Sequence, residues 1–123
     1  MAHRDDGTTM KAVAIVGIGC RFPGGVTSPQ TFWDMLDVGR QAITDILANR
    51  MDVARYFDPR PATPGRMMSR RGGYLDRIDT FDTSFFGISP REAERMDPQQ
   101  RLLLEVACEA LDDAGVDRAR LDG

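Results

Sequence analysis

Histidine and lysine are almost missing from this sequence: among 123 residues, His3 is the only histidine and Lys11 the only lysine. A lone histidine rules out a histidine-built metal centre, which needs several ligands held together. It also leaves the two cysteines, Cys20 and Cys108, short of the base that a nucleophilic thiol requires. Two cysteines make no disulfide framework, so reduced thiols and a cytoplasmic setting are expected. Lysine's absence makes the positive charge almost wholly guanidinium, with 15 arginines and a net charge of -3. That balance argues against a general nucleic-acid binder. The polar head, with Arg4, Asp5 and Asp6, is not a signal peptide. The longest apolar run, Ala12 to Ile18, is far too short to span a bilayer.

What is present is a set of local signals for one domain at most. Residues 1–10 read as a disordered tail. Ala12 to Ile18 is continuous, β-branched and apolar, the pattern of a strand buried on both faces. Gly19 to Gly25 reads as a turn. Ser28 and Pro29 start a helix carrying Phe32, Trp33, Met35 and Leu36, which Gly39 ends. Ile43 to Phe57 is less regular, with a short helix expected over Asp52 to Phe57. Asp58 to Gly65, with three prolines, is a loop. Met67 to Leu75 holds at most one short strand.

Two helix starts then follow in tandem. Ser89 caps the first, with Pro90 at the first helical position and Glu92 completing a capping box. Asp97 caps the second, with Pro98 behind it and a helix predicted to about Ala114, stopped by Gly115. Its apolar stripe is Leu103, Ala107, Ala110, Leu111 and Ala114. One buried-type strand cannot satisfy its own edges. The expected fold class is therefore α/β, with one buried strand plus several helices, incomplete as a domain.

Each candidate site has a plainer explanation. Gly17-Ile18-Gly19 follows an apolar run, but the sixth position of a dinucleotide fingerprint is Phe22 and no helix follows at once. A tight turn that lets backbone segments approach closely explains those glycines better. Cys108 sits mid-helix, where a free thiol behaves as a small hydrophobe. Asp97 is a cap, and Asp112 and Asp113 belong on the solvated side of a helix end. Gln99, Gln100 and Arg101 are expected to face solvent or a partner from the first helical turn. Arg66, Arg70, Arg71 and Arg77 form a basic stretch interrupted by Asp76 and Asp79, so ion-paired surface is expected there.

Taken whole, Phe85-Phe86-Gly87-Ile88-Ser89-Pro90-Arg91-Glu92 through Asp97-Pro98-Gln99-Gln100-Arg101-Leu102-Leu103-Leu104-Glu105 resembles the N-terminal half of a beta-ketoacyl synthase, the ketosynthase domain of type I modular or iterative polyketide synthases. The blocks Val13 to Gly24, Phe32-Trp33, Arg71-Gly72-Gly73-Tyr74-Leu75 and Phe81 to Phe86 fall in the same order as in that family. The resemblance implies a thiolase-like fold, usually homodimeric. It implies decarboxylative Claisen condensation, with an active-site cysteine acylated from the phosphopantetheine arm of an acyl carrier protein and two histidines assisting. Those residues lie in later segments of the family.

Residues 11–123 are thus expected to be the N-terminal portion of a ketosynthase, truncated before the catalytic cysteine. The expected partners are the remainder of that domain and an acyl carrier protein, with no nucleic acid or membrane. No catalytic, cofactor-binding or metal-binding residue is assigned here, and no cofactor. The short head is expected to start a polypeptide. The alternative is a stand-alone, non-catalytic interaction domain with a ketosynthase-like surface. Relatives usually carry proline at Leu47 and tryptophan at Met51 and Cys108. The last exchange should leave a gap on the order of 2–4 kcal/mol unless neighbours refill it.

Overall fold

The computed structural model describes residues 12–117 and Leu121. The expected tail over residues 1–10 lies outside the described residues. The elements run α1 (Pro29–Asp37), β1 (Ile43–Asp45), α2 (Val53–Tyr56), β2 (Arg71–Gly73), α3 (Pro90–Ala93) and α4 (Pro98–Asp113).

Local chemistry accounts for every helix start. At α1, the Ser28 side chain accepts from the Thr31 amide while the Thr31 side chain accepts from the Ser28 amide, a reciprocal capping box. Asp52 caps α2 by accepting from the Arg55 amide. Ser89 accepts from the Glu92 amide at 3.3 Å, and Asp97 accepts from the Gln99 amide at 2.8 Å. The α3 cap is therefore confirmed in its forward half. Gly115, at φ 65°, follows α4 in the left-handed conformation that ends helices.

The sheet differs from expectation. β1 and β2 pair antiparallel in the register Ile43 with Gly73, Thr44 with Gly72 and Asp45 with Arg71. The Ile46 amide extends the ladder by donating to the Arg70 carbonyl at 2.8 Å. β2 falls inside the expected Met67–Leu75 stretch, whereas β1 was not anticipated. The run Ala12 to Ile18 forms no ladder and is not buried. Val13 is 92% exposed, Ile15 83% and Val16 73%. No described residue pairs with its backbone from 12 to 17. The apolar pattern is that of an interior strand, but strandhood needs a partner, and none is at hand among the described residues.

The buried core is small: Cys20, Val26 and Ala93 are the buried hydrophobic residues among those described. Around them sit two aromatic groups. Phe22 and Phe32 lie 4.9 Å apart between ring centroids. Phe86 stacks on Phe81 and meets Phe85 edge-on, at 4.9 Å and 4.8 Å. α1 buries none of its residues fully, and Trp33 on it is 63% exposed. The β2 end packs under the turn at 23–25, where a Cβ on Gly73 would stand 2.8 Å from the Pro23 ring.

Candidate functional site

The residues singled out by sequence converge on the seam between residues 17–21 and α4. A Cβ added to Gly17 would lie 2.2 Å from the Ala110 carbonyl oxygen, and one on Gly19 2.2 Å from that of Val106. The segment therefore runs along the helix in the opposite direction, from Ala114 back towards Val106, with backbone touching backbone. Neither glycine has positive φ, so they serve space and not turn geometry. The close approach expected for Gly17 and Gly19 is present, with α4 as its counterpart, but the tight turn expected there is not: residues 17–19 run straight along the helix.

Two polar contacts fasten this seam. The Ile18 amide donates to Asp113 Oδ2 at 2.9 Å. The Arg21 guanidinium makes a fork on the Glu109 carboxylate, with Nη1 donating to Oε2 at 2.6 Å and Nη2 to Oε1. Arg21 Nη1 also reaches the Cys20 carbonyl at 3.0 Å and the Thr27 carbonyl at 3.3 Å. The hydrogen bonds that Arg21 donates to Glu109 raise its pKa above the ordinary value, against partial burial, and the charges of Glu109 and Glu105 add to the rise. A bidentate pair of this kind fixes orientation as well as distance. Sequence reading missed it, because the partners are 88 positions apart and no local pattern links them. Asp113 is on the solvated face as expected, and from there its carboxylate also accepts from the Ile18 amide, a contact no local pattern showed.

Beside the seam opens a groove of about 640 Å³, lined among others by Arg21, Phe22, Leu75, Phe86 and Cys108. Asp112 also lines it. The half-buried Cys108 stands at its wall. A smaller hollow of about 390 Å³ lies against Cys20, Leu102, Leu103 and Val106. Leu103 is 69% exposed.

The other candidates divide. Cys20 is buried and Cys108 half-buried, both as free thiols. The one histidine, His3, lies outside the described residues. No group of three or more metal-ligating side chains occurs among the described residues. Asp97 acts as the cap of α4. Gln99 lines the smaller hollow, Gln100 is exposed, and Arg101 Nε is buried without an acceptor among the described residues. The basic stretch is ion-paired: Arg70 and Arg71 approach Asp45 at 3.4 Å and 3.9 Å, and Arg77 approaches Asp79 at 3.6 Å. The seam and its groove can hold and orient polypeptide.

Residues 10–123 match the family described as Beta-ketoacyl synthase, N-terminal domain. A component of the phenolphthiocerol/phthiocerol polyketide synthase of Mycobacterium tuberculosis is 55% identical over 111 residues, covering 90% of this chain and 7% of that protein. A polyketide synthase of Streptomyces halstedii is 54% identical over 112 residues, covering 90% of this chain and 2% of its own length. Among solved structures, an oxazolomycin ketosynthase domain from Streptomyces albus superposes with a TM-score of 0.81 at 39% identity, covering 87% of this chain and 18% of that one. The ketosynthase of module 6 of the bacillaene synthase from Bacillus subtilis gives a TM-score of 0.73 at 42% identity, covering 85% of this chain and 17% of its own. The chain thus spans a small part of the length of the proteins it matches.

Proposed function

The chain belongs to the beta-ketoacyl synthase N-terminal domain family, and we propose that it serves as the opening portion of a polyketide synthase ketosynthase with a thiolase-like fold. The reaction of the whole is decarboxylative Claisen condensation. A malonyl-type thioester loses carbon dioxide, its enolate carbon attacks an acyl thioester held on a cysteine, and that cysteine thiolate leaves. The cysteine and its histidine helpers come from segments other than this one. Residues 12–117 supply frame: α4 carries the apolar first segment on its back, fixed by Gly17, Gly19, Asp113 and the Arg21–Glu109 fork.

The observation that carries this reading is the run Ala12 to Ile18. It is apolar on both alternating faces, its backbone from 12 to 17 has no partner among the described residues, and it is held in place against a helix. A segment so prepared is suited to receive strands on either side. An acyl carrier protein and a second copy of the complete domain are the partners of the assembled enzyme.

The test is complementation. The 123-residue chain is mixed or co-expressed with the remainder of a ketosynthase domain, such as that of the oxazolomycin enzyme. Carrier-protein-bound acyl and malonyl thioesters are supplied, and product is followed by mass spectrometry. Condensation is expected only with both pieces present. Turnover by the chain alone that vanishes on Cys20→Ala or Cys108→Ala would overturn the proposal. A soluble chain that never joins the remainder, yet still binds a carrier protein, would favour a stand-alone interaction domain.

A further inference from the structure

The groove beside α4 has a charge pattern that its structural role does not use. Among the described residues, five carboxylates line it, from Asp76, Asp82, Glu105, Glu109 and Asp112, against two guanidiniums, Arg21 and Arg77. Both guanidiniums are engaged: Arg21 forks onto Glu109, and Arg77 faces Asp79 outside the lining. Asp82 accepts the Phe85 amide at 2.9 Å, a bond that leaves its negative charge in place. Asp76 has no ion pair among the described residues, and Glu105 shares only the longer-range field of Arg21. Between the carboxylates the wall is apolar, made by Phe22, Val26, Leu75, Phe85, Phe86 and Leu102. Its volume, about 640 Å³, suits several side chains of a peptide.

We propose that this groove docks a polypeptide segment in which arginine or lysine alternates with bulky apolar residues. The apolar side chains would sit on the phenylalanine wall, and the cations would answer Asp76 and Glu105. Charge complementarity selects this occupant. A purely apolar segment would bury Asp76 and Glu105 without partners, at a large desolvation penalty. An acidic segment would add like charge to a net-negative groove.

The experiment uses the full chain and three labelled eight-residue peptides, with leucine alternating with arginine, serine or glutamate, followed by fluorescence anisotropy. The leucine–arginine peptide should bind about tenfold more tightly than the leucine–serine peptide at low ionic strength, and salt should erode that advantage. The double variant Asp76→Asn/Glu105→Gln should abolish the advantage. Cys108→Trp, which fills the groove, should weaken binding of all peptides about tenfold or more. Asp37→Asn, an exposed acid on α1, should change nothing.

Equal binding of the arginine and serine peptides would overturn the proposal. So would unchanged binding by Cys108→Trp, or an Asp37→Asn effect as large as that of the double variant. Circular dichroism reports whether each variant keeps its helices. Should Cys108→Trp fail to fold, Asp76→Asn alone decides the matter. Its side chain is exposed and makes no bond among the described residues, so lost folding cannot explain its effect. An unchanged arginine advantage in that variant would likewise overturn the proposal.

Discussion

At the scale of single residues, glycine marks two different constraints. Gly17 and Gly19 have ordinary backbone angles but no room, since a Cβ on either would sit 2.2 Å from a carbonyl oxygen of α4. Gly25 has room but the wrong angle for other residues, at φ 77° with nothing within 4 Å. Alanine at 17 or 19 must therefore push the segment off α4, with a loss of about 3 kcal/mol. Alanine at 25 meets only backbone strain, about 1 kcal/mol. Urea unfolding of the three variants should show that order. Equal losses would mean that the segment does not rest on the helix. The glycines were visible in sequence, and so was close approach as their reason. The identity of the surface approached was not, because it lies some ninety residues further along the chain.

Asp58 offers a test of charge at the same scale. Hydrogen bonds from the Arg60 side chain and amide hold its pKa below the ordinary 3.8. A carboxylate whose folded value is depressed contributes stability that is full above its unfolded pKa and is lost as pH falls through the folded one. The window is thus below about pH 4. Asp58→Asn should flatten the fall of stability with pH in that window and lower the plateau above it by the same amount, a small one because the Arg60 side chain is exposed to solvent. Thermal unfolding across pH 2.5 to 7 would show this. A variant curve parallel to the parent's throughout would remove Asp58 from the acid response.

At the scale of elements, what was legible follows the range of the forces involved. Helix starts depend on three or four neighbouring residues, so Ser28, Ser89 and Asp97 could be read as caps and each one is. The same holds for Gly115 after α4. Strands depend on partners elsewhere. β1 is three residues long, with no alternation to announce it. Ala12 to Ile18 announced itself strongly, yet has no ladder among the described residues. The Arg21–Glu109 fork was hidden for the same reason, since each residue alone looks like ordinary surface charge. The caps have a measurable share in the seam. Asp97→Ala removes the acceptor for the Gln99 amide and should destabilise the chain by about 1 kcal/mol. The helix that frays is the one carrying the first segment, so protection of the Ile18 amide from hydrogen exchange should fall with it. Helix loss with Ile18 protection intact would separate the two.

At the scale of the whole molecule, surface area decides how the chain behaves. It exposes 10246 Å², whereas a closed monomer of 13.7 kDa exposes roughly 6,600 Å². Part of the excess lies on Val13, Ile15 and Val16 of the first segment, Trp33 and Leu36 of α1, and Leu103 of α4. Phe86 and Leu111, by contrast, are half-buried. Such a chain releases less surface on unfolding than its length suggests. Taking the unfolded chain at roughly 20,000 Å², the surface it buries is about seven tenths of that buried by a closed domain of the same mass. The denaturant slope of unfolding follows buried surface. The isolated chain should therefore unfold in urea with a slope about seven tenths of the value usual for its size, over a broad range, and should bind a hydrophobic dye beforehand. Addition of the remainder of a ketosynthase domain should abolish dye binding and sharpen the transition, because a partner that binds only the folded form stabilises it by mass action. A full-sized slope from a monomer that binds no dye would show that the first segment finds its cover within the chain, and that the surface available to partners is confined to the acidic groove.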